Sequence, residues 1–455
     1  MACPWLRQCR RWSTNCTSRS LLETLRHFNG RSVPTFSTAC LRRTSWSSRP
    51  GSEGQLSALP TQMLPKTLIS TTSLPRHTSQ LLNPTLQSCC CRQNVHTDVK
   101  LQDPFTLAQK DLTNLYDDIR KELFVSRDEL KSLCDYYFDG KGKAIRPMIV
   151  VLMARALNAH SNGSGDLLPG QRTIAMIAEM IHTASLVHDD VIDGSDRRRG
   201  KRTINEVWGE KKAILAGDFI LSTASMAMAR IGDNTVVKVM SQVMEDLVRG
   251  EFMQLGSKEH ENERFKHYLE KTFKKTASLI ANSCKAVCTF CFTQISRRRR
   301  RGSVSTQMFF GSSVSSKVCV QVTTDPKVHE IAYKYGENVG IAFQLVDDVL
   351  DFTSGASHLG KPSAADLKLG LATGPVLFAC QQFPELHALI MRRFSSKGDI
   401  DQAWQYVLQS DGVEQTKYLA ERYCQEAIRQ ISKLRPSAER DALIRLTEMV
   451  LTRDK

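Results

Sequence analysis

Six aspartates in two equal spacings carry the strongest chemical signal in the chain. Asp189, Asp190 and Asp193 stand in SLVHDDVID, and Asp347, Asp348 and Asp351 in QLVDDVLD. Each DDxxD follows an apolar run compatible with a helix, TIAMIAEMIHTASLV and GIAFQLV. Residues at i and i+4 share a helix face, so the first and third aspartates of each motif project together. Stacked carboxylates repel one another unless a cation lies between them. Hard oxygen ligands in this number suit Mg²⁺, which takes a few carboxylates and completes its shell with substrate phosphates. Arg197, Arg198 and Arg199 follow the first motif, and guanidinium forks suit phosphate oxygens. One DDxxD beside arginines is most often a solvated, salt-bridged helix face. Two copies on largely apolar helices point instead to a cleft where six carboxylates meet, balanced by about three Mg²⁺ with diphosphate oxygens in the open positions.

The elements that must position these groups are helices. From Asp98 onward the periodicity is helical almost throughout, strand-like alternation is scarce, and Gly/Pro clusters are short. This predicts one all-α domain over residues 98–455, with ten or more helices around a central cavity. GKGKAIRP, residues 140–147, precedes the apolar MIVVLMARAL, and Pro147 suits a first helical turn. Lys143 and Arg146 are three apart and can reach one anion. His182 and Ser185 extend the Asp189 face toward the N-terminus. Lys275 and Thr276 in FKKTASLI put a cation and a hydroxyl at adjacent positions, Gln344 lies three residues before Asp347, and Lys361 follows the second motif.

The net charge of +15 is unevenly spread. Residues 1–97 hold twelve Lys/Arg against Glu23 and Glu53, and residues 288–317 hold six basic residues and no acid, which leaves the remainder near −1. No basic stripe runs along the body, so nucleic-acid binding is excluded as a reading. The Arg- and Ser-rich, acid-poor leader, residues 1–97, has the composition of a mitochondrial transit peptide. No stretch reaches the ~20 consecutive apolar residues of a membrane span. Seven of the fourteen cysteines lie in the leader and seven beyond it, with no paired spacing that suggests a disulfide framework. Cys288 and Cys291 form an isolated CxxC; reduced thiols are the better reading than zinc.

Both DDxxD motifs, with GKGKAIRP, IHTASLVHDD, FKKTASLI and GKPSAADLKLGLATGP, resemble the trans-prenyltransferases, the polyprenyl diphosphate synthases. The resemblance covers the chain from about Asp98 to its end. It is nearest to the long-chain branch, in which a first subunit makes the solanesyl or decaprenyl tail of ubiquinone. It implies an isoprenoid synthase-like fold and Mg²⁺-dependent addition of isopentenyl diphosphate to an allylic diphosphate, farnesyl or geranylgeranyl. Asp189, Asp193, Asp347, Asp348 and Asp351 would be metal ligands, with Asp190 in the catalytic set. Lys143, Arg146, His182 and Arg199 would hold isopentenyl diphosphate. Arg198, Lys275, Thr276, Gln344 and Lys361 would surround the allylic diphosphate. Short-chain members carry a bulky aromatic four or five residues before the first motif. Here Ala184 and Ser185 stand there, which implies an open tunnel and a long product. The resemblance also implies a mitochondrial matrix enzyme, in peripheral contact with the inner membrane, working with a second, divergent subunit. A non-catalytic subunit and a terpene cyclase are the alternatives. Complete aspartate motifs argue against the first, and the Lys143/Arg146 pair for a second diphosphate argues against the other. One departure stands out. CTFCFTQISRRRRRGSVSTQMFFGSSVSSK, residues 288–317, replaces a short connection and reads as a flexible insertion.

Overall fold

The computed structural model describes residues 103–124, 128–140, 142–162, 164–198, 200–256, 263–306, 326–353 and 365–453. Helices fill these residues. The one departure among them from the all-α expectation is a two-residue antiparallel ladder that pairs Arg197–Arg198 with Lys201–Arg202. The leader, residues 1–97, lies outside the described residues.

The helix Pro169–Ile192 carries the first aspartate motif. Pro169 opens it, and Gln171 Oε1 accepts the Leu168 N–H at 3.0 Å, so the first turn is preset and one orphan donor is satisfied. Its buried face, Ile174, Ile177, Ile181 and Ala184, recurs at helical spacing. The helix ends at Asp193, whose N–H returns to Asp189 O at 2.8 Å. The second motif lies near the end of the helix Pro326–Thr353.

The hub of the fold is the helix Ser278–Thr306. It packs on Ile145–Asn162, on both aspartate helices and on Asn234–Leu255. Its contact with the second aspartate helix is backbone to backbone. A Cβ at Gly340 would lie 2.5 Å from Ala277 Cα, and one at Gly336 would lie 2.7 Å from Ala281 Cα. Two glycines four apart on one helix therefore meet two alanines four apart on the neighbouring stretch, and no larger pair fits. Buried amides add direction: Asn158 and Gln171 exchange hydrogen bonds at 2.8 and 3.0 Å, and Gln171 also donates to Val287 O at 3.4 Å.

That hub corrects the expected flexible insertion. Residues 288–292 are core, and the helix continues to Thr306. Cys288, Phe290, Cys291 and Phe292 are buried, and the Phe290 ring covers Gly170 so closely that a Cβ there would come within 2.3 Å of it. A helix surrounded by others is apolar on every side, so VCTFCF shows none of the one-sided periodicity that marks a surface helix. Residues 307–317 lie outside the described residues. The CxxC cysteines are buried free thiols, and burial pushes Cys291 up to about 11. Apolar length also reappears where no continuous run was expected. Glu210–Ile231 is long and apolar enough to cross a membrane by length and composition, yet Ala213, Ala216, Gly217 and Ile220 bury one face of it against its neighbours.

Phe290→Ala is expected to cost about 3–5 kcal/mol of unfolding free energy, the usual loss for a buried Phe. Denaturant unfolding measures it, and a change within error of zero would return this stretch to the loop reading.

Candidate functional site

The two aspartate helices face one cavity of about 840 Å³. Asp189 and Asp193 line it from one side, Asp347 and Asp348 from the other. Lys143, Arg146, His182, Ser185, Arg198, Lys275, Thr276 and Gln344 also line it, so most residues selected from sequence converge. Arg199 and Lys361 lie outside the described residues.

The six aspartates do not converge as six. Asp190 is only 1% exposed and turned into the protein, where Arg198 Nε donates to it at 2.8 Å and the Tyr137 hydroxyl at 2.6 Å. Its carboxylate fixes an arginine rather than facing the cavity. Asp351, expected as a metal ligand, accepts the backbone N–H groups of Ala365 and Asp366 at 3.1 and 3.2 Å and is not among the cavity-lining residues. Asp366 does line the cavity. Asp348 is held at both oxygens: Gln344 Nε2 donates to one at 2.9 Å, and the Tyr268 hydroxyl donates to the other. Thr276 donates to Gln344 Oε1 at 2.9 Å, so Thr276 and Gln344 form a relay to Asp348. Of the two residues assigned to product length, Ser185 faces the cavity, its hydroxyl bonded to His182 O at 2.8 Å. Ala184 is fully buried in the core.

Local backbone explains several placements. Ala144 adopts φ +47°, a left-handed turn that sets Lys143 just ahead of the helix Ile145–Asn162. Arg146 Nη1 is 2.9 Å from His182 Nε2. A guanidinium can only donate, so Nε2 accepts and the imidazole proton is on Nδ1. Lys275 and Thr276 sit in a π-helical turn, Phe273–Ala277, of the kind found mostly at functional sites. Lys275 is braced by Glu251 at 2.6 Å and Gln254 at 3.0 Å. From the C-terminal helix Ala438–Thr452, the following Arg453 reaches Asp347 at 2.7 Å with its guanidinium stacked on Phe343. Tyr268, Lys271, Asp366 and Arg453 were missed by sequence reasoning. Tyr268 and Lys271 lie seven and four residues before Lys275, a one-face spacing that could have found them. Nothing in the sequence near Arg453 marks it.

Burial raises the acids. It pushes Asp189 and Asp348 up to about 6. It pushes Asp366 up to about 7, aided by Asp348 and Asp351. Asp193 and Asp347 are raised for the same reason. Desolvated carboxylates that resist ionisation are what a divalent cation relieves. Among the described residues no three carboxylates, imidazoles or thiols close on one point, so the protein offers part of a hard cation's shell and a diphosphate would complete it. This donor set fits Mg²⁺.

A linkage prediction follows from the sign of these shifts. Acids with raised folded-state pKa values bind more protons folded than unfolded between about pH 4 and 7, so their contribution to stability falls as pH rises through that window. Without divalent cation, Tm should decline across it; with Mg²⁺ and inorganic diphosphate the decline should flatten and protons should be released on binding. Tm against pH, with and without ligand, checks this. Identical slopes would show that the acids do not meet the cation.

The chain is similar to known proteins in sequence and in fold. The family model described as polyprenyl synthetase matches residues 127–300 and 303–407. The human all trans-polyprenyl-diphosphate synthase is 66% identical over 79% of this chain and 79% of its own length. The decaprenyl-diphosphate synthase subunit 1 of Schizosaccharomyces pombe is 39% identical over 77% of this chain and 91% of its own. Among solved structures, the Caulobacter crescentus polyprenyl synthase complexed with calcium and isoprenyl diphosphate superposes with TM-score 0.63 at 26% identity, over 77% of this chain and 97% of that one.

Proposed function

The chain belongs to the polyprenyl synthetase family and is a trans-prenyltransferase, and from that premise we propose that it adds isopentenyl diphosphate units repeatedly to an allylic diphosphate to build a long chain of the solanesyl or decaprenyl class, the tail of ubiquinone. The observation that carries this is one cavity lined by carboxylates and by two sets of cationic donors. Lys275 and Arg198 act on Asp189 and Asp193, while Lys143, Arg146 and His182, with Arg146 bonded to His182, enter the same cavity from other turns. Two diphosphates held in one cavity are what a condensation needs, whereas a cyclase holds one.

The roles follow from the chemistry. About three Mg²⁺ ions bound between Asp189, Asp193, Asp347 and the allylic diphosphate would neutralise the charge that develops as the C1–O bond breaks. Arg198, fixed by Asp190, which the Tyr137 hydroxyl holds in turn, and Lys275, braced by Glu251, hold cationic donors where that charge appears without reorganising. Lys143, Arg146 and His182 orient isopentenyl diphosphate so that its terminal alkene carbon faces the allylic C1; the new C–C bond forms as diphosphate departs. The proton then lost from the adjacent carbon goes to the released diphosphate. The tail grows past Ser185. Arg199 and Lys361 are assigned to the isopentenyl and allylic diphosphates by motif alone. The leader directs the chain to the mitochondrion, and a second, divergent subunit completes the assembly. Exposed Leu215, Met226, Val248 and Phe252 on the helices Glu210–Ile231 and Asn234–Leu255 are apolar surface that a partner would cover.

The test is to incubate the chain, alone and with candidate partner subunits, with farnesyl or geranylgeranyl diphosphate, labelled isopentenyl diphosphate and Mg²⁺, and to size the products. Long polyprenyl diphosphates are expected, and cyclic hydrocarbons or no incorporation would refute the reading. Asp189→Ala should lower turnover by roughly two orders of magnitude or more with the fold retained, since it removes charge balance from the departing group; near-normal turnover at saturating Mg²⁺ would sink the assignment. Ser185→Phe should shorten the product while sparing the first condensation. Ala184→Phe, overpacking a filled core, should cost stability instead, by about 1–3 kcal/mol. Full-length product from a folded Ser185→Phe protein would place the tunnel elsewhere.

A further inference from the structure

Most cations at the cavity are already engaged. Arg198 is paired with Asp190, Lys275 with Glu251, and Arg453 with Asp347. Lys271 is different. It lies one turn before Lys275 in the helix Arg264–Thr272, lines the cavity and is largely buried. Its ammonium makes no hydrogen bond or ion pair with any described residue; it lies over the Tyr268 ring, with Nζ 5.9 Å from the centroid. The carboxylates it faces are Asp348, Asp366 and Glu251. Asp348 is already held by Tyr268 and Gln344, and one oxygen of Glu251 by Lys275; none of the three accepts from Lys271. Burial lowers its pKa, and the charge of Lys275 opposes its own. A buried ammonium that none of the facing carboxylates accepts from leaves its donors unsatisfied until an anion arrives to meet it. Such a residue is more easily explained by a ligand than by the fold.

We propose that Lys271 is a further catalytic residue, whose ammonium takes an oxygen of the allylic diphosphate beside Lys275. This rests on the diphosphate-transfer reading above. The spacing supports it: Lys271 and Lys275 are four apart and both line the cavity, so two ammonium groups approach one anion from consecutive turns. Their mutual repulsion is relieved when a diphosphate enters, and that relief adds to binding. The same oxygen charge grows as the allylic C–O bond breaks, so the contact strengthens in the transition state.

The experiment compares the full chain with Lys271→Met and Lys271→Arg. It reads the ligand-free Tm, calorimetric binding of inorganic diphosphate with Mg²⁺, and KM for each substrate. Lys271→Met removes a buried charge without opening a large cavity, so its ligand-free Tm should equal or exceed that of the wild type. Its affinity for inorganic diphosphate should fall about tenfold or more, in line with loss of a charge-assisted hydrogen bond. KM for farnesyl diphosphate should rise in parallel, while KM for isopentenyl diphosphate stays within about twofold. Lys271→Arg should recover most of the loss. Wild-type-like diphosphate binding by Lys271→Met would overturn the proposal and leave the transferase reading standing. A lower ligand-free Tm with unchanged affinity would make Lys271 a counter-charge for Asp348 and Asp366 and overturn it as well. No binding of diphosphate by the wild type would refute the transferase reading and this inference with it.

Discussion

Everything in this structure depends on holding several partly desolvated carboxylates against one cavity. Asp189, Asp348 and Asp366 are all raised by burial, to about 6, 6 and 7. A fold optimised only for stability would not collect them, since each loses hydration and repels the next. The arrangement makes sense when a multivalent cation and a polyanion enter together. The cation satisfies the carboxylates, the polyanion satisfies the cation, and nearby Lys and Arg side chains satisfy the remaining phosphate oxygens.

The rest of the fold keeps the groups from relaxing apart. Gly336 and Gly340 let the second aspartate helix touch the backbone at Ala281 and Ala277. Its distance from the π-helical turn that carries Lys275 and Thr276 is thus set by covalent geometry rather than by adaptable side chains. The relay Thr276–Gln344–Asp348–Tyr268 then locks the rotation of that helix. On the opposite wall, Asp190, itself held by the Tyr137 hydroxyl, fixes Arg198. Small residues and buried hydrogen bonds here act as positioning devices for charges that would otherwise separate.

Much of this was legible in the sequence, for physical reasons that also mark its limits. Two DDxxD motifs on apolar helices were legible because carboxylates there are out of place unless something binds them. Lys143 and Arg146 were legible through spacing and His182 through the family resemblance, and eight selected non-aspartate residues do line the cavity. What one motif's aspartates do individually was not legible: periodicity puts Asp189 and Asp193 together but does not show Asp190 turning inward to Arg198. Asp351 looked equivalent to Asp193, yet the backbone at Ala365 and Asp366 claims it. Arg453 acts through a tertiary contact with Asp347, more than a hundred residues away, that no local pattern encodes. The core stretch after Cys288 was read as a loop because full burial removes helical asymmetry and the arginine run beside it dominated the composition.

The central claim is that the two aspartate helices act as one ligand set for a cation–diphosphate complex. A double-mutant cycle tests it most directly, with calorimetric affinity for inorganic diphosphate in Mg²⁺ measured for Asp189→Asn, Asp347→Asn and the pair together. If the helices share the bound complex, either single change removes most of the affinity and the second adds little, a strongly non-additive cycle. Additive losses, each partial and independent of the other, would mean two separate sites and would contradict the account.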